Sequence, residues 1–462
     1  MTGENVKQKI EDGDDYSLEP VPESERRSWL SLSFSLAGNA TALIYLQFGA
    51  LMAMTYGVAN AVGALVYATI IGGILGYALS IVAAKTGLGS NLIARSAGFG
   101  FRGVALYSLA VGSTSTMYFS LEGIIMANSF HSFLPQIPLW LIVILMVIGM
   151  VLLNWFGIRV LEKFQKWSIV VYAVLLLIAI FISINMFFNN SPNWIQYMPE
   201  NMPLTAFGLF SCIGIINGIV GILVLNVADF ARFIKKEELK IGSLSLGVVV
   251  QLWWYLIAGL IGIWFGINYS ETNPGIYFVA ILGIWGVLFV FLTQLRINVN
   301  NLYIGSLSIA NFFAVIFSLK PGRVFWIVVM SAIGTLIMIS GVVEHLEAIT
   351  HLIGVFMMPI MILIVTDIYI VRKLLKLGSE DLEYRPSHLR NWNPVGIFSV
   401  ITSGAISLLM SYGVLGSFWK PLSSVIACIL AFTLYVMLSV LTKGKFNYPK
   451  NVEITDEEVK HI

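Results

Sequence analysis

The chain has 462 residues, of which 58% are hydrophobic and 11% are charged, and its formal net charge is +2. Soluble globular domains carry about 25% charged and about 45–50% apolar residues, so this composition excludes an ordinary soluble protein. Its near-neutral charge gives no reason to expect nucleic acid as a partner. Windows of about twenty apolar residues recur, the length that crosses a bilayer as a helix. We therefore predict an all-α polytopic membrane protein in contact with lipid.

Twelve apolar runs are long enough to cross a membrane. The run at 276–312 exceeds what one upright helix needs, so it must tilt, bend or extend beyond the bilayer. We number the predicted spans 1 to 12 in chain order, at about 29–54, 58–83, 103–130, 138–158, 166–188, 204–230, 242–267, 276–312, 323–342, 349–371, 394–414 and 419–441.

The ends of the chain lie outside these spans. Residues 1–27 are charged and contain proline, which is typical of a disordered tail and not of a cleavable signal peptide. We predict a cytoplasmic disordered tail at 1–27, a transmembrane domain at 28–441 and a second cytoplasmic tail at 442–462.

The basic residues predict the orientation. With the N-terminus inside, the inner segments hold 25 of the 27 Lys and Arg residues. Lys420 lies in an outer loop, and Arg296 lies within a span. Because Lys and Arg concentrate in cytoplasmic loops, we expect both termini in the cytoplasm and a multi-pass protein of the plasma (cell inner) membrane.

Two charges lie deep inside predicted spans. Glu122 is flanked by apolar residues in span 3, and Arg296 interrupts the apolar run of span 8. A charge at mid-bilayer costs at least about 2.5–3.5 kcal/mol on insertion scales, so it usually faces a cavity or a partner and serves a function. The alternative is a structural ion pair between the two residues, which would also lie inside the bundle.

Small and polar residues occur at the middle of spans 1 and 6. They are "LAGNATAL" around Asn39 and "CIGIINGIVGI" around Asn217 and Gly218. Secondary transporters bind solute near the midplane, at helices interrupted at matching positions of two inverted repeats. We therefore predict broken spans 1 and 6, repeats at about 29–188 and 204–371, and two extra spans within 394–441. Glycines also serve close helix packing in membranes.

Span 3 presents a polar face towards one side. Ser115, Tyr118 and Glu122 are spaced i, i+3 and i+7, so they share one side of a helix. A ring one turn from a carboxylate suits a flat heterocycle, because the ring stacks and the carboxylate binds the edge. Span 8 adds polar residues on two faces, with Arg296 on one and Asn298 on the other.

No pattern favours an enzyme or a metal site. The five histidines fall in loops, span ends or the tail, and none forms a cluster suited to a buried metal or nucleophile. We interpret "EHLEAITH" at 344–351 as a solvated helix start. Cys212 and Cys428 lie apart within spans and are expected to be reduced packing residues. We predict no catalytic residue and no cofactor.

Several stretches of the chain together resemble one family. They are "PVPESERRSW" before span 1, "AAKTGLGSNLIARSAGFGFRG" (83–103), "LNVADFARF" (225–233) and "NVNNLYIGSLSIAN" (298–311). From about residue 20 to 440 the chain resembles nucleobase–cation symporter family 1, and within it the bacterial cytosine and purine permeases. The resemblance implies a leucine-transporter-type fold with twelve helices and a 5+5 inverted repeat. It also implies a flat, nitrogen-rich ring as substrate.

The resemblance further implies roles for single residues. In this family an aromatic residue of span 3 stacks on the ring, and Tyr118 falls at its position, where tryptophan is usual. Ser115 and Glu122 match the polar positions one turn to either side. A second aromatic residue on span 6 falls at Val220 here, so the two-sided aromatic sandwich and the cytosine assignment are not carried over.

The ion site of the family is also altered. Sodium-coupled members hold the ion between span 1 carbonyls, which would belong to about Ala42 and Tyr45, and two hydroxyl residues that align with Arg296 and Ile297. A guanidinium is always charged and carries five donors. The resemblance therefore implies that Arg296 replaces the sodium ion. In the alternative, Arg296 binds an anionic group of the substrate, or transport is sodium-coupled.

Glu122 is then the candidate proton carrier, since buried acids form the proton relays of transporters. In an alternative, Glu122 stays ionised and accepts hydrogen bonds from N–H groups of the ring. A facilitator without any coupled ion is a further alternative. The predicted function is proton-coupled, sodium-independent import of a purine-like or cytosine-like heterocycle. A permease of the same fold for a vitamin precursor or an amino acid is the alternative, and the oligomeric state stays open.

Overall fold

The computed structural model describes residues 16, 18–39, 41–155, 158–187, 193–200 and 206–449. These residues form helices and no β-strand, as the all-α prediction requires. The numbering of the predicted spans is kept for the helices that correspond to them. In chain order these are Trp29–Asn39 with Ile44–Tyr56, Val58–Thr86, Val104–Phe133, Leu139–Trp155, Ile158–Phe187, Ala206–Ala231, Leu239–Tyr269 with its internal π-turns, Pro274–Leu282 with Ile284–Phe317, Arg323–Ile339, Leu346–Thr366 with the π-helical Asp367–Leu374, Pro394–Ser411 and Ser423–Leu441.

Length and hydropathy alone support fewer than twelve crossings. Within the described ranges, eight helices are long and apolar enough to cross a membrane, and a ninth is obtained if the bent pair of span 1 is counted as one. The helices of spans 4 and 9 are shorter, at Leu139–Trp155 and Arg323–Ile339. The count of twelve crossings therefore stays a prediction.

Span 1 is broken where the sequence predicts a break. Its two halves, Trp29–Asn39 and Ile44–Tyr56, meet at 54°. The Thr41 hydroxyl, at 2.9 Å, and its backbone N–H, at 3.5 Å, donate to the Gly38 carbonyl, which has lost its regular helical partner at the break. The backbone N–H of Leu43, beside the break, donates to the side chain of Gln294 on span 8 at 3.4 Å.

The predicted break in span 6 is wrong for this structure, because Ala206–Ala231 is one uninterrupted helix. Its glycines serve packing. A Cβ atom at Gly218 would lie 2.4 Å from the Thr350 carbonyl oxygen, and one at Gly221 would lie 2.9 Å from the Met357 backbone. Small residues let two backbones approach this closely in a membrane, so span 6 is packed directly on span 10.

The long run at 276–312 is divided by a bend. A short helix, Pro274–Leu282, ends at Gly283 with φ of +57°, and span 8 continues over Ile284–Phe317. Glycine adopts this left-handed backbone without the steric cost that a side chain adds. Span 8 itself packs along span 3 for much of its length. This pairing brings the polar residues of the two spans together.

Part of the predicted N-terminal disordered tail is ordered, which corrects that prediction for residues 18–27. Val21 is buried, with 3% of its surface exposed. The Arg26 guanidinium donates to the Ala84 carbonyl and, at 2.9 Å, to the Ile234 carbonyl. This segment joins the loop after span 2 to the loop after span 6. Residues 1–15 and 17 lie outside the described residues.

We call the surface formed by this segment, the loops at 84–103, 232–239 and 372–393, and the C-terminal segment 442–449 the basic face. Hydrogen bonds connect these parts, for example from Phe101 N to the Arg390 carbonyl at 2.9 Å and between the side chains of Asn393 and Asn447 at 3.1 Å. The opposite face carries the far ends of the same spans.

Candidate substrate site

The centre of the site is the carboxylate of Glu122 on span 3. It is 1% exposed, and the Nε2 atom of Gln294 on span 8 donates a hydrogen bond to it. The Ile44 backbone N–H, at the break of span 1, also lies close to this carboxylate. The Oε1 atom of Gln294 accepts from the Leu43 N–H at 3.4 Å. A buried acid thus lies where spans 1, 3 and 8 meet.

Aromatic side chains surround this acid. The Tyr118 hydroxyl, one turn before Glu122, donates to the Gly218 carbonyl of span 6 at 2.9 Å. Tyr45 of span 1 lies within electrostatic range of Glu122, Tyr118 and Tyr255. We call Tyr45, Tyr118, Glu122, Tyr255 and Gln294 the central cluster. It joins five spans: 1, 3, 6 through the Gly218 carbonyl, 7 and 8.

Span 7 contributes aromatic residues that the sequence did not indicate as part of a site. The Trp254 and Tyr45 rings lie 6.4 Å apart between centroids. Trp254 Nε1, the Tyr255 hydroxyl and both amide atoms of Gln251 are buried and have no hydrogen-bond partner. A π-turn at Trp253–Ile257 adds a residue to the helix at this position, and such turns are frequent at functional sites.

Two further predicted residues lie on spans 8 and 3: Asn298 and Ser115. Asn298 is fully buried, and neither its Nδ2 nor its Oδ1 atom has a partner. It faces Gly123, where a Cβ atom would lie 4.0 Å from its Nδ2. Ser115 packs elsewhere: a Cβ atom at Gly305 would lie 2.9 Å from the Ser115 Cβ. Ser115 is therefore at a helix–helix contact, two turns from Glu122.

Of the predicted residues of spans 1 and 6, some lie at the site and one points away from it. Asn39 ends the first half of span 1 and is buried beside the break. Gly218 belongs to the site through its carbonyl, which accepts from Tyr118. Asn217 points away, because its Nδ2 donates to the Ser424 hydroxyl of span 12 at 3.1 Å.

Arg296 lies on the other side of span 8 from Gln294. It is 2% exposed, its Nη1 donates to the Ser168 hydroxyl of span 5 at 3.2 Å, and its Nη2 has no partner. Among the described residues no hydrogen bond joins it to the carbonyls of Ala42 or Tyr45, and no ion pair joins it to Glu122. The expected contacts with span 1 are thus not formed, and the alternative of a Glu122–Arg296 pair is not observed.

The residues of the central cluster are all buried, and hydrogen bonds connect chain segments at both ends of the bundle. On the opposite face the Tyr56 hydroxyl of span 1 donates to the Glu347 carboxylate of span 10. On the basic face the Ser90 N–H and hydroxyl each donate to Asp229 of span 6 at 2.8 Å. Among the described residues no group of three His, Cys, Asp or Glu side chains is arranged to hold a metal ion.

A broken first span beside a buried, polar and aromatic centre is compatible with a membrane transporter. The comparison with known families agrees. The sequence model of one family, described as permeases for cytosine/purines, uracil, thiamine and allantoin, matches residues 20–427. The chain belongs to this family, nucleobase–cation symporter family 1. A search of curated protein sequences gave no match.

Solved structures show the same fold. The inward-facing conformation of Mhp1 matches with a TM-score of 0.74 and 17% identity, over 92% of this chain and 93% of that one. Mhp1, a nucleobase-cation-symport-1 family transporter, in a closed conformation with bromovinylhydantoin bound matches at 0.70 and 17%, over 93% and 95%. A Na+-coupled sialic acid symporter matches at 0.62 and 14%, over 95% and 94%. The fold is that of the leucine-transporter type.

Proposed function

We propose that this protein imports a nucleobase or a related flat, nitrogen-rich heterocycle across the plasma membrane by alternating access. The observation that carries the proposal is the buried Glu122 carboxylate, with Tyr45 and Tyr118 within electrostatic range of it. Rings provide flat apolar contact and a carboxylate accepts N–H donors from the edge of a heterocycle. The family description and the hydantoin-type ligand of Mhp1 support a substrate of this shape.

The second aromatic residue of the site comes from a different span than the family pattern implies. Val220, at the span 6 position, is fully buried and offers no ring. Tyr45 of span 1 instead belongs to the central cluster, and Trp254 of span 7 lies next to it. In our proposal the substrate stacks on Tyr118 with Tyr45 or Trp254 on its other side. Asn298 and Gln251, whose amides have no protein partner, supply further polar contacts.

We propose that transport is coupled to protons and does not need sodium. Arg296 aligns with a hydroxyl position of the ion site in sodium-coupled relatives, and its fixed charge is buried, which supports a resident cation. In the described residues Arg296 donates a hydrogen bond to Ser168 of span 5, and its Nη2 atom has no partner. It forms no hydrogen bond with the described span 1 carbonyls.

Glu122 is the proposed proton carrier. When it is neutral the carboxyl group donates one hydrogen bond, and when it is ionised it accepts from Gln294, with the Ile44 N–H close by. The change of protonation therefore alters the contacts among spans 1, 3 and 8, whose relative movement opens the site. The basic face is the cytoplasmic face in this proposal, because Lys and Arg concentrate there.

The proposal is tested by uptake into proteoliposomes of labelled cytosine, hypoxanthine, guanine and a hydroxymethylated pyrimidine. Each ring is offered under a proton gradient, a sodium gradient or no gradient. We expect accumulation of at least one ring under the proton gradient, with no effect of sodium. Sodium-driven uptake contradicts the coupling, and no uptake of any ring contradicts the substrate class. Amino acids and vitamin precursors are then the next substrates to test.

A further inference from the structure

A second polar site lies on the basic face, away from the central cluster. A shallow pocket of about 20 Å³, open to solvent, is lined by three arginines from three separate parts of the chain. They are Arg95 after span 2, Arg372 at the end of span 10 and Arg390 before span 11. Residues 446–449 of the C-terminal segment close another side. The pocket is therefore a junction of four chain segments.

One of the arginines, Arg372, already has a hydrogen-bond partner at each of its three side-chain nitrogens. Arg372 bonds the Asp367 carboxylate at 2.6 Å, the Ser379 carbonyl at 2.9 Å and the Ser96 carbonyl at 2.7 Å. Asp367 also accepts from the Tyr435 hydroxyl. This network holds the pocket wall in place and leaves Arg372 neutralised.

Arg95 is in the contrary situation. It is 4% exposed and its Nε atom has no partner. Its guanidinium lies over the Phe101 ring at 5.2 Å, and no hydrogen bond or ion pair joins it to any other residue in the described ranges. Burial lowers the pKa of this guanidinium, since no anion compensates the charge. A buried charge without a partner is strongly destabilising.

Two more donors in the same pocket are unused. The Ser96 hydroxyl and the Arg390 Nε atom are buried without a hydrogen-bond partner. Arg390 lies 5.8 Å from the centroid of the Phe446 ring, and no carboxylate of the described chain pairs with it. The one acid that lines the pocket, Glu383, is bonded to Arg385 at 2.8 Å. Hydrogen bonds from Arg385 outweigh the effect of burial and lower the pKa of Glu383, which stays ionised and engaged.

We propose that this pocket binds a phosphate-type oxyanion, either free phosphate or the phosphate group of an anionic lipid. Arg95, Arg390 and Ser96 supply the donors, and guanidinium groups match the geometry of phosphate oxygens. The anion neutralises the two unpaired arginines. It also joins the loop after span 2 to the segment before span 11 and the C-terminal segment. The site is independent of the transported ring.

The test is the thermal unfolding of the purified full-length transporter. In detergent, inorganic phosphate is titrated against chloride at equal ionic strength, because salt screens exposed charges without specificity. A ligand that binds only the folded state raises its stability, so we expect a saturable rise in Tm of roughly 2–4 °C. Nanodiscs of phosphatidylcholine with or without phosphatidylglycerol test the lipid source. A rise in phosphatidylglycerol that exceeds the rise in phosphate assigns the site to lipid.

Arg95→Gln, Arg390→Gln and Ser96→Ala should each reduce or abolish the rise. Arg102→Gln is the matched control, since Arg102 is exposed on the same loop, does not line the pocket, and should keep the full response. Without phosphate, Arg95→Gln should be no less stable than the unmodified protein, because it removes an unpaired buried charge. A rise that all variants share, or none with either anion, would overturn the proposal.

The acidic residues of the C-terminal tail are a competing source of anion. A full-length variant with Glu453→Gln, Asp456→Asn, Glu457→Gln and Glu458→Gln separates the two cases. The proposal expects the same phosphate or lipid response in this variant as in the unmodified protein. A response that appears only after neutralisation would show that the tail occupies the pocket, and would overturn the proposal.

Discussion

The side-chain amide of Gln294 donates a hydrogen bond to the carboxylate of Glu122, which ties span 8 to span 3 at the buried centre of the protein. The same amide accepts from the backbone of Leu43 at the break of span 1. One side chain thus connects three spans whose relative movement a transport cycle requires. Four predictions follow from the contacts around it and at the closed faces.

Gln294→Ala should weaken substrate binding. A hydrogen bond to a charged group contributes about 1.5–3 kcal/mol, so its loss corresponds to about a 10- to 100-fold rise in the half-saturating substrate concentration. The measurement is uptake in proteoliposomes as a function of ring concentration. Thr293→Val is the control, because the Thr293 hydroxyl bonds only carbonyls of its own helix, at 2.9 Å. Equal effects of the two variants would contradict a special role of Gln294.

Glu122→Gln should separate exchange from accumulation. Glutamine keeps the shape of the side chain and, like the neutral acid, offers one acceptor oxygen and one donor group, but it cannot ionise. If Glu122 carries the proton, preloaded proteoliposomes still exchange labelled ring, while a pH gradient no longer drives accumulation. If Glu122 instead acts as a constant anion for the ring, exchange is lost together with accumulation. Glu380→Gln is the control: Glu380 is exposed and pairs with Lys376 at 2.6 Å, so this substitution should leave both activities unchanged.

Arg296→Thr should create a dependence on sodium. The substitution removes a buried cation beside Ser168 and leaves a hydroxyl group of the kind that sodium-coupled relatives use. We expect uptake that rises with a sodium gradient, and a Tm that rises with sodium but not with potassium. Arg296→Lys keeps the charge and should show neither effect. Loss of ring binding without any sodium response would favour the alternative that Arg296 binds an anionic group of the substrate.

Tyr56→Phe should open the face opposite to the basic face. The Tyr56–Glu347 bond connects spans 1 and 10, and the buried Cys212 lies beside this pair. In a Cys428→Ala background, alkylation of Cys212 by a membrane-impermeant maleimide should become about 10-fold faster, as expected when a bond to a charged group is lost. Cys212→Ala gives the background signal. Unchanged labelling would mean that other contacts keep this face closed.

The sequence predicted the class of fold and the two unusual charges. Glu122 and Arg296 interrupt long apolar runs, and the cost of burying a charge in a membrane makes such residues informative without any structure. Both are buried inside the bundle. Their partners were not predictable, because the direction of a side chain depends on which spans pack together. Arg296 therefore faces Ser168 and not span 1.

Other parts of the site gave a weaker signal or a misleading one. Trp254 and Tyr255 lie in an apolar stretch, "QLWWYL", where aromatic residues are as common in lipid-facing and packed positions as in a site. Gly218 and Gly221 indicated a break in span 6 and instead allow its contact with span 10. Asn217 was assigned to the site by its position, yet it faces span 12.

The close contact between spans 6 and 10 has a mechanical consequence. The two backbones are in direct contact at Gly218 and Thr350, with no side chain between them. A direct backbone contact resists sliding of one helix along the other. We therefore expect spans 6 and 10 to move together as one rigid body relative to the neighbouring spans. A covalent cross-link between spans 6 and 10 should then leave transport active, whereas a cross-link between either of them and span 3 should stop transport.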